Sequence, residues 1–160
     1  MKEKFLKEAI RLALKSLEKG DVPVGAVVVL DGKIVGRGFN QKESKQNACG
    51  HAEIQAIESA CKKLGKWRLD DAELFVTLEP CLMCLGAVFN ARIKAVYFGA
   101  KDNSASAIDG SRDELIRSGY MNHRIETYCD LCDQECQDML VDFFKKRRLE
   151  NKNSVQNKKS

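Results

Sequence analysis

The sequence predicts a layered α/β domain, with helices covering both faces of a mixed sheet. Three observations carry that expectation. Segments with the apolar spacing of amphipathic helices alternate with short apolar runs of strand character. No segment repeats, and no linker rich in proline, glycine or serine divides the chain. The length of 160 residues suits one domain, in which roughly 70% of the unfolded surface becomes buried.

The elements follow in order. Residues 2–19 set Phe5, Leu6, Ala9, Ile10, Ala13 and Leu17 on one helical face, and Gly20 suits a C-cap. Residues 24–30 are a continuous apolar run, as in a strand buried on both faces. Asp31-Gly32 signals a hairpin turn, and residues 33–39 return as a more polar edge strand. A polar loop spans 40–50. From His51, the residues Ala52, Ile54, Ala56, Ile57 and Ala60 predict a second helix ending near Gly65. Residues 73–78 read as a strand. Pro80 stands where a third helix would start, since its missing N–H costs nothing in a first turn; that helix runs to about Arg92. Residues 94–98 and 124–128 are two more strands, separated by a loop at 100–111 and a short helix at 112–117. A long helix over 130–149 closes the fold. The domain is therefore expected to cover residues 1–149. The polar residues 150–160, with Val155 as the single apolar side chain among 151–160, are expected to form a disordered tail.

Composition narrows the function. Hydrophobic residues at 44% and charged residues at 31% are the balance of a globular protein. No apolar run approaches the ~18 residues of a membrane span. The N-terminus carries neither an apolar signal core nor a small-residue cleavage site. Membrane and secreted classes are thereby disfavoured, and a cytoplasmic protein is expected. Seven cysteines are an odd number for a disulfide framework, so they read as thiols, some of them metal ligands. The net charge of +4 conceals an asymmetry: residues 145–160 hold seven basic groups and one acid, the rest 20 basic and 22 acidic. Such a run suits an anionic partner, or a solvated helix end whose cations complement the dipole.

Two short motifs stand at equivalent places. His51-Ala52-Glu53 opens the second helix, and Pro80-Cys81-Leu82-Met83-Cys84 opens the third. Both could face one crevice beyond the strand ends. Together they offer one imidazole, two thiols and one carboxylate. Zinc takes such nitrogen and sulfur donors tetrahedrally, and a catalytic site keeps the fourth position open. The Cys81-x-x-Cys84 gap places both sulfurs within one turn, where a helix N-terminus favours thiolates. Glu53 need not be a ligand; beside a water activated by the metal it can carry protons. The competing arrangement is a closed Cys3His set, with Cys49 as the fourth ligand. It leaves Glu53 without a purpose. Cys129, Cys132 and Cys136 share one face of the last helix, either as a second metal site or as a small apolar surface. Of the adjacent Phe143 and Phe144, one packs inward and the other is freer.

His-x-Glu followed by Pro-Cys-x-x-Cys is the signature of zinc nucleobase deaminases. The resemblance extends further. Asp21-Val22-Pro23-Val24-Gly25-Ala26-Val27, Thr77-Leu78-Glu79-Pro80-Cys81, Met121-Asn122-His123-Arg124 and Asp142-Phe143-Phe144 with the basic run resemble the bacterial tRNA-specific adenosine deaminases. The match covers about residues 5–148. It implies a three-layer α/β/α sandwich with a mixed five-stranded sheet, of the cytidine deaminase-like kind. It also implies one Zn2+ per chain on His51, Cys81 and Cys84, with Glu53 as proton shuttle in the hydrolytic deamination of adenosine to inosine at the wobble position of tRNA anticodons. Asn40 is placed against the base and ribose, Asp102, Asn122 and His123 against neighbouring nucleotides, and Phe144 and Arg148 against the substrate loop. A tRNA anticodon stem-loop as partner and a homodimer follow from the same resemblance. Two blocks depart from the family: Asn47-Ala48-Cys49-Gly50, where Asp-Pro-x-Ala is usual, and the loop 103–110. A small-molecule nucleobase or nucleoside deaminase differs from this reading in lacking phosphate contacts and hence steep salt dependence. A non-catalytic, zinc-stabilised RNA-binding module differs in having no use for Glu53.

Overall fold

In the computed structural model the residues described are 1–102, 116–119, 121, 123–129 and 131–159. Their elements are α1 (Glu3–Glu18), β1 (Gly25–Leu30), β2 (Lys33–Phe39), α2 (Ala52–Leu64), β3 (Glu73–Leu78), α3 (Leu82–Asn90), β4 (Ala95–Ala100), β5 (Glu126–Tyr128) and α4 (Asp133–Asn157). The strands form one sheet in the order β2-β1-β3-β4-β5. β1 runs antiparallel to β2 and β3, whereas β3, β4 and β5 are parallel. The sheet is mixed and five-stranded, as expected, and β2 is an edge. Asp31 and Gly32 both hold positive φ, 50° and 71°, which gives the hairpin a turn matching the twist of its strands.

Alternation along the strands sorts the core into two layers. Ala26 and Val28, Leu74 and Val76, and Val96 face α2 and α3, where Ala52, Ala56, Ala60, Val88 and Phe89 meet them. Val27, Val29, Phe75, Ala95 and Tyr97 face α1, against Phe5, Leu6, Ala9 and Leu12. α4 joins the α1 side through Cys136 and Leu140 beside Ile10 and Ala100. The result is the α/β/α sandwich.

α2 sits unusually close to the sheet. A Cβ at Gly38 would lie 2.1 Å from the Ala52 carbonyl oxygen, and one at Gly36 2.1 Å from that of Ala56. Glycines in β2 and alanines in α2 thus let two backbones touch, which fixes where the N-terminus of α2 points.

Some expectations shift. α3 starts two residues after Pro80, because Cys81 holds an extended backbone (φ −73°, ψ 172°) as N-cap. α4 continues to Asn157, so the expected disordered tail is helical at 151–157. Residues 144–157 hold no glycine or proline and are mostly helix formers, so nothing stops propagation once Cys136, Leu140 and Phe143 have anchored the first turns. Residues 103–111 of the loop expected at 100–111, and residues 112–115 of the expected short helix, lie outside the described residues, while Ala100 ends β4.

Candidate active site

His51 and Cys81 occupy equivalent positions, the N-caps of α2 and α3. Both helices begin at one end of the sheet, so their first turns converge there. His51 Nδ1 lies 3.6 Å from Cys81 Sγ and 3.5 Å from Cys84 Sγ. The donor atoms of the three residues lie within 4.8 Å of one another, and among the described residues this is the group able to hold a metal ion. Cys84 is buried; His51 and Cys81 are half-buried. Cys49 is exposed and remains outside the group. Cys129, Cys132 and Cys136 do not form a second group there. Cys136 is instead buried in the core, facing the space left by Gly99, whose added Cβ would approach its Sγ to 2.3 Å.

The electrostatics suit a cation. The hydrogen bond from the Cys84 thiol, followed by that of the His51 ring, holds the Cys81 thiol down to about 3. The same hydrogen bond to the Cys81 sulfur, then burial and the Glu53 charge, push the Cys84 thiol upward. The bond to Cys81 raises the His51 imidazole. One anionic sulfur beside a second donor sulfur and a ring nitrogen is the electron-rich half of a metal site.

Glu53 is 4% exposed and lies on the first turn of α2. Burial drives its carboxyl above the ordinary carboxylate range. It contacts the Cys84 sulfur and lines the same cavity as His51 and Cys81. A carboxyl so placed is suited to exchange protons with a ligand in that cavity.

The cavity has a volume of about 220 Å³, below the ~300–1,000 Å³ of sites for drug-sized ligands, and has room for a single flat ring. Asn40 and Asp102 join its wall. The Asn40 carboxamide donates to the Val22 carbonyl at 3.1 Å and accepts from the Lys42 amide at 3.2 Å. The Asp102 amide donates to Glu79 Oε2 at 3.0 Å, so Glu79, which also lines the cavity, ties the end of β3 to that of β4. Lys42 and Glu79 were not singled out from sequence. Glu79 sits inside the Thr77–Cys81 block, the one signal that pointed to it; Lys42 reads as ordinary loop polarity.

Phe144, 43% exposed, lines an adjoining hollow of about 380 Å³ that shares Val22, Leu78 and Asp102 with the first. Phe143 is the ring that packs inward. Arg148 is exposed on α4, away from the cavity wall. His123 is not brought to the cavity. Its Nε2 bonds the Ile93 carbonyl at 3.1 Å and its ring meets Phe89 edge-on, at the far end of α3 from Cys81. Asn122 lies outside the described residues.

A family model described as MafB19-like deaminase matches residues 1–148. The chain is 43% identical over 155 residues to the tRNA-specific adenosine deaminase of Bacillus subtilis, covering 97% of this chain and 96% of that one. The chain belongs to the tRNA-specific adenosine deaminase family. A solved structure from work on A-to-I editing by tRNA:A34 deaminases matches this deaminase with a TM-score of 0.78 at 38% identity, covering 86% of this chain and 99% of the other. The guanine deaminase of Bacillus subtilis matches it at a TM-score of 0.60 and 38% identity, over 76% of this chain and 82% of that one. Among the described residues of the deaminase, no helix is long and apolar enough to cross a membrane.

Proposed function

We propose that the protein is a zinc-dependent hydrolase converting adenosine to inosine at the wobble position of tRNA anticodons. The observation that carries this reading is a buried carboxyl, Glu53, beside three converging donors that leave a fourth position free. The donor spacing fits zinc. Bonds of about 2.3 Å to sulfur and 2.0 Å to nitrogen at the tetrahedral angle give a nitrogen–sulfur edge of roughly 3.5 Å. The two edges from His51 Nδ1 measure 3.6 and 3.5 Å. His51, Cys81 and Cys84 would hold the ion, which when bound supplies the Lewis acidity that makes water a nucleophile near neutral pH.

The chain's own groups do the rest. The cavity takes one base turned out of its strand, as enzymes acting on nucleobases require. Glu53 accepts a proton from the attacking water, hands it to the ring nitrogen next to C6, and assists the amine to leave as ammonia. Adenosine and water thus become inosine and ammonia. Asn40 and Asp102 orient the base and its neighbour, while Phe144 offers a ring for stacking at the adjoining hollow. Lys145, Lys146 and Arg148 draw in the phosphate backbone, while, by resemblance to the family, Asn122 and His123 meet neighbouring nucleotides. The cellular place is the cytoplasm, where the substrate is. The working state is a homodimer, favoured by exposed Trp67, Leu82 and Met83 on the α2–α3 side.

The test is to incubate the protein with a total tRNA pool, free adenosine and free guanine, in parallel with Glu53→Gln. Inosine should appear at anticodon wobble positions and neither small molecule should turn over. The zinc-replete variant should be slower by at least ~10²-fold. Turnover of guanine alone would assign the site to a small-molecule enzyme. Parent-like turnover by Glu53→Gln would remove the mechanism, and a monomer in sedimentation at working concentration would remove the dimer.

A further inference from the structure

We infer that Arg147 is a positioning residue: it clamps the C-terminal half of α4 onto the turn that carries Lys42, rather than contacting the substrate. The inference deepens the deaminase reading and rests on it. In the basic run, Lys145, Lys146 and Arg148 are exposed, whereas Arg147 is partly buried and reaches across to the turn after β2. Its Nη2 lies 2.6 Å from Glu43 Oε2 and 3.2 Å from the Gly20 carbonyl oxygen, and its Nη1 lies 3.3 Å from Glu43 Oε1. The guanidinium also covers the Phe143 ring at 4.9 Å. A planar fork meeting a carboxylate through two nitrogens while stacking on a ring is an arrangement arginine makes and lysine cannot.

What the clamp grips is itself rigid. Asp21 is fully buried, and its Oδ1 accepts from the Glu43 amide at 2.7 Å. Both its oxygens accept from the Ser44 amide, at 3.2 and 3.3 Å. The amides of Lys45 and Asn47 close the turn onto the carbonyls of Gln41 and Lys42. Lys42, within that turn, lines the catalytic cavity and bonds Asn40 through its amide. At the other end of the clamp, Phe143 meets Phe144 edge-on at 5.3 Å, and Phe144 lines the adjoining hollow. Arg147 therefore joins two walls, the Asn40–Lys42 side of the cavity and the Phe144 side of the hollow. An exposed ion pair alone contributes little. Here one guanidinium, with its side chain 34% exposed, holds a carboxylate, a carbonyl and a ring at once.

The experiment is steady-state kinetics on tRNA across a salt series, for Glu43→Gln, Arg147→Gln, the double variant and Arg147→Lys. A clamp predicts that each single Gln variant raises KM by about two- to fivefold, with kcat within about twofold of the parent. The double variant should cost no more than Arg147→Gln alone, since both remove one interaction. Arg147→Lys should also raise KM, and the salt slope should stay at the parent value in all four. A direct phosphate contact predicts the reverse. Glu43→Gln would lower KM, Arg147→Gln would flatten the slope by ~0.7, and Arg147→Lys would behave as the parent. Any of those three results overturns the clamp. Because Arg147→Lys keeps the charge and the helix-forming side chain, it remains a test even where a Gln variant folds poorly. A parent protein that makes no inosine defeats the deaminase reading; an active parent whose two Gln substitutions add defeats the clamp alone.

Discussion

Cys49 separates spacing from geometry. Along the chain it stands two residues from His51, as a fourth zinc donor would in a closed site. In the fold its amide donates to Asn47 Oδ1 at 3.0 Å and its carbonyl accepts from the His51 amide at 2.8 Å, a tight turn that leaves the residue exposed. Cys49→Ser should therefore keep one equivalent of zinc per chain by elemental analysis, with near-parent turnover. Loss of the metal in that variant would restore the closed four-ligand site. His51, Glu53, Cys81 and Cys84 were legible in the sequence because each motif lies within one helical turn, where spacing alone brings side chains together. Lys42 and Glu79 were not. Their places depend on the buried Asp21 carboxylate and on a contact between the ends of β3 and β4, which join residues more than 20 apart. His123, which its family block singles out, lies on the Ile93 carbonyl outside the cavity wall; a block of identities carries no orientation.

Strands and helices differ in how well their ends can be read. β2 and β3 lie at the residues expected, because Asp31-Gly32 and the apolar limits of 73–78 punctuate them. The start of α3 and the end of α4 moved, since Pro80 is compatible with standing before a cap as well as after one, and polar helix formers give no stop signal. Closeness between elements leaves a trace in the sequence: glycines alternate at 36 and 38 in β2 where α2 presents Ala52, Ala56 and Ala60. Gly38→Ala tests that contact. Its Cβ would meet backbone atoms, the Ala52 oxygen at 2.1 Å and the Ala56 nitrogen at 2.6 Å. No side chain can move aside there, so α2 must shift. The cost should be about 1–3 kcal/mol in denaturant unfolding. Since α2 carries His51 and Glu53, turnover should fall as well. A variant with parent stability would mean that the helix seats less tightly than described.

For the molecule as a whole, the charge is divided by place. The body of the domain is slightly acidic, and the positive charge is concentrated in the C-terminal segment that holds most of α4 beyond Phe144. Arg147 apart, every side chain of that half from Phe144 to Asn157 is exposed, so its sequence is free to serve association. Replacing Lys145, Lys146 and Arg148 together by Gln should raise KM for tRNA at similar kcat. The slope of log KM against log salt should flatten by up to about 2, at ~0.7 per phosphate on single-stranded nucleic acid. An unchanged slope would leave these cations as dipole complements to α4 and nothing more.

The three donor residues lie on either side of β3 in the chain, His51 before it and Cys81 and Cys84 after it. An ion held by all of them therefore acts as a cross-link, closing a loop of about 30 residues around a central strand. In the chain-entropy account such a closure restrains the unfolded state by about 3–4 kcal/mol. The catalytic centre is then also a fastener of the fold. Stripping the metal with a chelator should lower the melting temperature by about 10 °C and abolish turnover over the same range of chelator concentration. A protein that loses activity to the chelator while melting unchanged would show that the site and the scaffold are independent.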